Sequence, residues 1–361
     1  MEKPLKNLTY DEIWDINNSI IPAKASCSNA DPQMAGSSYS EYVSEAIQEY
    51  KKPFCSFDDQ LQLLVDRGLE VDDRDFALSC LRHVNYYHLE AYWYSYYKSE
   101  KKEHEFEAGT NFSDIWRHYS FDRELRFLFF RAIEKIELSF RTQCAYVLSQ
   151  RYYSDGKYTI GFDALLDSSS EIARGRKTLN DKIEQELLQS NEDFYKSFKS
   201  KYGQVMPPPW ILVEMLSLGL LSKCYARTND VCFRREISRT YDLQPDVLSN
   251  WIYQVVLVRN ICAHHGRLWN RIIPTTIKQP LSRLDHCSPN FYRLSDENDE
   301  KYNGKRLYNT ILIIDDMISF IVPGNRWRYM AKDLILKYCI DVQRMGFPPD
   351  WQERALWLEV N

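Results

Sequence analysis

No run of uncharged apolar residues in this sequence approaches eighteen, and the first residues, MEKPLKNLTYDEIW, contain no apolar core of the kind secretory leaders carry. Neither membrane spanning nor secretion is expected. The nine cysteines are an odd number, and no two form a C-x-x-C pair. A disulfide framework or zinc ribbon is therefore disfavoured, and reduced thiols in a cytoplasmic protein are expected. Walker phosphate loops, G-x-S-x-G elbows and H-E-x-x-H motifs are missing. Nucleotide hydrolysis, α/β-hydrolase chemistry and zinc proteolysis thus have no support. Sustained apolar alternation with paired turn signals is missing too, as is any internal repeat, so β-sheet and solenoid folds are not expected.

The most informative absence is local. The chain carries 51 Asp and Glu against 46 Lys and Arg, for a net charge of −5. Yet no Asp or Glu occurs between Val247 and Leu284, where an even spread would place about five. That window holds Arg259, Arg267, Arg271, Lys278 and Arg283, with adjacent His264 and His265. The overall charge excludes a basic footprint for the whole protein, so a polyanion would have to be met by this local patch.

What is present reads as helix. The 361 residues, 44% hydrophobic and 27% charged, suit a soluble globular chain able to bury a sizeable core. Helices are predicted over Asn7–Ile20, from the Ser56–Asp59 capping box to the stop at Gly68 with Phe57, Leu61 and Leu64 on one face, and over Arg74–His83. Ala23–Ser38 reads as a flexible linker and Ser168–Lys177 as a loop. From Ser113 to Gln150, Leu125, Leu128, Ala132, Ile133, Ile136, Phe140, Cys144 and Val147 recur at helical steps, beside a polar stripe of Arg131, Glu134, Glu137 and Arg141. Further single helices are predicted over Leu179–Ser200, over ILVEMLSLGLLSKCYAR, and over Asp246–His265, Leu307–Val322 and Ala331–Met345. Of the 25 tyrosines, many crowd Tyr86–Tyr97. A helix apolar on several sides is more often buried than a platform for RNA bases.

The helix over Asp246–His265 ends in VRNICAHHGRLWNR. Asn260 and His264 are i,i+4 neighbours on one face, with Arg259 one step around. Gly266 is expected as the left-handed stop. A guanidinium grips phosphate oxygens through a fork of donors, and an imidazole titrating near pH ~6.5 moves protons at neutrality. Together these are the parts of metal-free RNA cleavage: a base for the 2′-OH, an acid for the leaving oxygen and a cation for the phosphorane. A histidine in a last helical turn also interacts favourably with the helix dipole, and spacing alone favours that structural role. Cys262 beside the histidines gives C-x-H-H, which cannot present tetrahedral ligands alone, and no second cluster is visible; no metal or cofactor is expected. His83 and His88, five apart, read as packing or surface residues.

RNICAHHGRLWNR resembles the signature of the AbiD/AbiF-type abortive-infection (Abi) proteins, which carry a HEPN ribonuclease domain with an R-x4–6-H motif. YYHLEAYWYSYY, FDRELRFLFFRAIEKIELSFRTQCAY and PPWILVEMLSLGLLSKCY are similar to segments of the same family, in the same order. The resemblance covers roughly Phe54 to Trp357. The helical pattern itself gives an all-α fold: an N-terminal segment with linker at 1–53, outside the resemblance and without an assigned role, a helical arm at 54–110, a helical bundle at 111–322 that the resemblance makes HEPN-like, and a C-terminal helical cap at 323–361. The resemblance implies Arg259 as phosphate ligand, Asn260 as orienter and His264 as acid–base, with Glu137 and Arg141 supporting from the preceding helix. His265 is a further supporting candidate, and Arg267, Trp269 and Arg271 are candidates for gripping RNA. The implied activity is a metal-independent endoribonuclease of bacterial antiviral defence, in toxin–antitoxin style, restrained by a small noncoding RNA or a protein antitoxin. A non-catalytic helical module that only holds RNA or protein is the alternative. A homodimer is implied as well. On a helical wheel His265 points about 100° from His264, so one copy looks short of a second titrating group, and a two-fold axis would supply it.

Overall fold

A computed structural model describes residues 53–98, 104–154, 157–158, 166, 177–203, 206–280 and 305–358. The helix expected at 7–20, the linker at 23–38, most of the loop at 168–177 and Arg283 lie outside the described residues. Two compact units divide between Arg117 and His118. Among the described residues the chain is all-α as predicted, apart from one small antiparallel ladder, β1 (Tyr153–Ser154) with β2 (Lys157–Tyr158). Among the described residues no helix is long and apolar enough to cross a membrane.

In the first unit, α1 (Phe57–Asp66) opens on the predicted capping box. The Ser56 hydroxyl accepts from the Asp59 N–H at 3.2 Å, and the Asp59 carboxylate accepts from the Ser56 N–H at 3.1 Å. Leu61 and Leu64 are buried, whereas Phe57, expected on the same face, is exposed. Gly68, at φ 92°, ends the turn. Helix α2 (Arg74–His83) is capped by Asp73, whose carboxylate accepts from the Phe76 N–H at 2.9 Å. Helix α3 (Tyr86–Trp93) splits the aromatic run: Leu89, Tyr92 and Trp93 are buried, while Tyr87 and Tyr94 face solvent.

Helix α4 (Phe112–Tyr152) contributes its residues from His118 onward to the second unit, and every residue of the predicted apolar stripe from Leu125 to Val147 is buried. The polar stripe beside it is not uniform. Arg131 and Glu134 are exposed, Glu137 is half-buried and Arg141 is buried.

Two predicted helices are each broken into two. The first becomes α5 (Leu179–Gln189) and α6 (Asp193–Tyr202), because Ser190 turns extended and its hydroxyl takes the Glu192 N–H at 3.2 Å. The second becomes α7 (Pro209–Met215) and α8 (Leu218–Arg227). At that break the Ser217 hydroxyl caps α8 through the Leu220 N–H at 3.2 Å, and the Glu186 carboxylate accepts from the Ser217 N–H at 2.7 Å. The carbonyls freed at the end of α7 need donors. The Arg141 guanidinium supplies them, to Leu216 O at 2.7 Å and to Val213 O. Helix α9 (Val231–Arg239), which the pattern did not announce, follows on an Asp230 cap.

Helix α10 (Pro245–Ala263) lacks a side-chain N-cap, a loss of about 1 kcal/mol. Burial outweighs it: Leu248, Trp251, Ile252, Val255 and Val258 are fully enclosed, and each large apolar side chain contributes about 1.5–3 kcal/mol. It packs on α8 and α9 and on α11 (Leu307–Ile321), where the buried Gln254 amide donates to the Thr310 hydroxyl at 2.8 Å. Helix α12 (Trp327–Lys337) is shorter than the predicted Ala331–Met345. It begins earlier and ends before a turn with Cys339 at φ 48°, and Gln343–Met345 forms a separate 3-10 turn.

Arg141 is therefore a test of the fold. Arg141→Ala leaves Glu137 and two carbonyls without their donor and should lower the unfolding free energy by about 3 kcal/mol or more. The denaturant midpoint at unchanged slope measures it. A loss under about 1 kcal/mol would show that the α7–α8 break holds without this grip.

Candidate active site

The end of α10 is a Schellman turn, in which the Gly266 N–H reaches back to Ile261 O at 2.8 Å and the His265 N–H to Cys262 O at 3.1 Å. The residue in the left-handed conformation is not Gly266 but His265, at φ 56°. This corrects the expected stop. A side chain in that conformation costs roughly 1–2 kcal/mol relative to glycine. Gly266 is small for another reason: a Cβ there would stand 3.3 Å from Ile261 O and 3.4 Å from Arg271 Nη1. The helical-wheel step between the two histidines also fails, because His265 lies beyond the helix.

Arg259, Asn260, His264 and His265 gather on this terminus. Asn260, His264 and His265 are exposed and Arg259 is half-exposed. The His264 N–H closes the last turn on Asn260 O at 3.0 Å, and Arg259 Nη1 lies 3.4 Å from Asn260 Oδ1. Among the described residues neither imidazole has a side-chain partner. Beneath, on α4, Glu137 Oε1 is held by Arg141 Nη2 at 2.6 Å, while its Oε2 stands 4.0 Å from Arg259 Nε. Glu137 is thus shared between a buried guanidinium that locks it and a half-exposed one that it can orient. Cys262 is buried, and burial pushes its thiol up to about 12, so it stays protonated and inert.

The loop beyond the histidines is fixed by a residue the sequence pattern did not single out. The Asp122 carboxylate on α4, fully buried, accepts from the Leu268 N–H at 3.0 Å, from the Trp269 N–H and from the Arg126 guanidinium. One signal could have found it: Asp122 stands where the apolar stripe of α4, traced back from Leu125, calls for a hydrophobic residue.

Trp269, a candidate for gripping RNA, is corrected. It is fully buried, with its ring centroid 4.5 Å from that of His118, and offers no face to a base. Arg271 is exposed, with Nη1 on Arg267 O at 3.2 Å, and Arg267 is half-buried. The described residues of the basic window do not gather as one patch. The Lys278 N–H bonds Asn250 Oδ1 at 2.8 Å, roughly 20 Å along the helix from His264. Lys278 lines instead a separate cleft with Asp246, Val247 and Thr276.

Arg267 and Arg271 remain as cations beside the histidines, and Trp269 is their anchor. Trp269→Ala should cost about 3–5 kcal/mol in thermal or denaturant unfolding. Arg271→Ala should stay within about 0.5 kcal/mol of the parent while weakening RNA retention at moderate salt. Equal stability losses in the two variants would contradict this division of labour.

A family model described as Abi-like protein matches residues 79–270, just over half of the chain and all of the motif helix. Neither the comparison with curated proteins nor that with solved structures gives a match.

Proposed function

The chain belongs to the Abi-like protein family, and from that premise we propose that it is a metal-independent endoribonuclease of the HEPN type, acting in bacterial abortive-infection defence. The observation that carries the reading is the end of α10, where Arg259, Asn260 and His264 reach solvent together and the nearby carboxylate, Glu137, is already held by Arg141. In this reading the Arg259 guanidinium binds the scissile phosphate and the charge that builds on it. Asn260, within reach of Arg259, orients it. The His264 imidazole exchanges the proton of the substrate's 2′-OH. Arg267 and Arg271 hold the flanking backbone. The protein works in the cytoplasm, held inactive by a small noncoding RNA or a protein antitoxin until infection releases it.

Arg259→Ala and His264→Ala should each abolish cleavage of RNA and leave stability within about 0.5 kcal/mol, as is usual for exposed polar sites. Cleavage should persist in excess EDTA, leave 2′,3′-cyclic phosphate ends and stop when the scissile nucleotide is 2′-deoxy. Activity lost to EDTA would instead indicate a metal-activated water. RNA binding without cleavage in the parent would favour the non-catalytic module.

The same reading places two copies in the working assembly. A two-fold pair brings two sets of Arg259, Arg267 and Arg271 to one RNA, which offsets a chain of net charge −5 where the polyanion lies. Light scattering under assay conditions should give twice the chain mass of 42.9 kDa. A fully active species at the single-chain mass would remove the dimer from the proposal.

A further inference from the structure

His265 occupies a place in the backbone where glycine is at home, and the glycine stands one residue later. Local folding does not ask for this order. Glycine at both positions would close the same Schellman turn through the same two N–H bonds, which involve only backbone atoms. Nor does packing ask for it. The His265 side chain is exposed, with no hydrogen-bond or ion-pair partner among the described residues. The residue's φ is unfavourable for an imidazole, and among the described residues no hydrogen bond or ion pair of the side chain holds it there. It sits directly beside His264, which is exposed as well, and consecutive Cα atoms are about 3.8 Å apart. Two rings so tethered can reach the same phosphodiester. Among the described residues the charged groups at this helix end are Arg259 on α10, Glu137, Arg141 and the paired Asp122 and Arg126 on α4, and Arg267 and Arg271 on the loop.

We propose that His265 is the second proton-transfer group of the site, so that one chain supplies both the base and the acid for RNA cleavage. The inference rests on the ribonuclease reading above. In the step, one imidazole takes the proton of the 2′-OH as the 2′-oxygen bonds to phosphorus. The other, protonated, gives its proton to the 5′-oxygen as the bond from phosphorus to that oxygen breaks. The products are a 2′,3′-cyclic phosphate and a 5′-OH, and exchange with water restores the two rings. The shortage of titrating groups inferred from the helical wheel disappears, because His265 has left the helix. A dimer, where it forms, then holds two chemically complete sites.

The test uses the full chain and a single-cut RNA oligonucleotide, with His265→Gly and His265→Asn beside Arg259→Ala and His264→Ala. Glycine and asparagine both accept the left-handed conformation and neither transfers a proton. Both variants should melt at the parent temperature or above and cleave at least about 100-fold more slowly, the lower range of what one proton-transfer group contributes. The parent's bell-shaped pH dependence should reduce to a single limb. Cleavage within a few-fold of the parent, or slow cleavage that keeps both limbs, overturns the role of His265. If Arg259→Ala and His264→Ala cleave like the parent, or the parent does not cleave RNA, the ribonuclease reading itself fails. Loss of activity in those two with full activity in His265→Gly defeats the present inference alone.

Discussion

The geometry of the site depends on one buried carboxylate. Asp122 sits at full burial on α4 and accepts from two successive amides, Leu268 and Trp269, and from the Arg126 guanidinium. A carboxylate so enclosed without partners would cost several kcal/mol, so its place and that of the loop are set together. With those amides fixed, Trp269 enters the core against His118, and Asn270 turns left-handed at φ 51° to meet Arg306 at 3.0 Å, just ahead of α11. The chain between the end of α10 and this anchor is only a few residues long. The tight approach of Gly266 to Ile261 results from holding both ends of this short segment, in which Arg267 also lies.

Glu137 does for the helix side what Asp122 does for the loop. Its partner Arg141 spends its remaining donors on the carbonyls of Leu216 and Val213, where α7 gives way to α8. A structural break between two helices and the cation at the mouth of the site are therefore joined through two side chains one turn apart on α4. The ion pair is nearly buried and has little freedom to rearrange, which makes Glu137 a fixed negative reference for the half-exposed Arg259.

The faces of the long helices were legible in the sequence because burial imposes a period, and α4 followed its predicted stripe residue by residue. The breaks at Ser190 and Ser217 were not. Apolar residues continue at helical spacing through both, and the groups that stabilise the second break, Arg141 and Glu186, lie far away in the chain. The gathering of Arg259, Asn260 and His264 could be read from a dense local motif. The conformation of His265 and the burial of Trp269 could not, since local composition does not say which face an aromatic ring presents. The same limit applied to Tyr86–Tyr97, where buried Tyr92 and exposed Tyr94 are near neighbours of one composition.

The bond between Asp122 and Leu268 spans 146 positions of the chain. Contacts at such separation carry a large loop-closure entropy and belong to the later stages of chain assembly. During synthesis, α4 and its carboxylate emerge long before the amides that answer it. A product truncated before Leu268 would contain α10, Arg259 and both histidines, yet lack the clasp that orders the loop beyond them. The clasp ties the order of the histidine end to the length of chain already made, a form of timing written in topology, in a polypeptide whose unfinished copies then present the parts of the site without its frame.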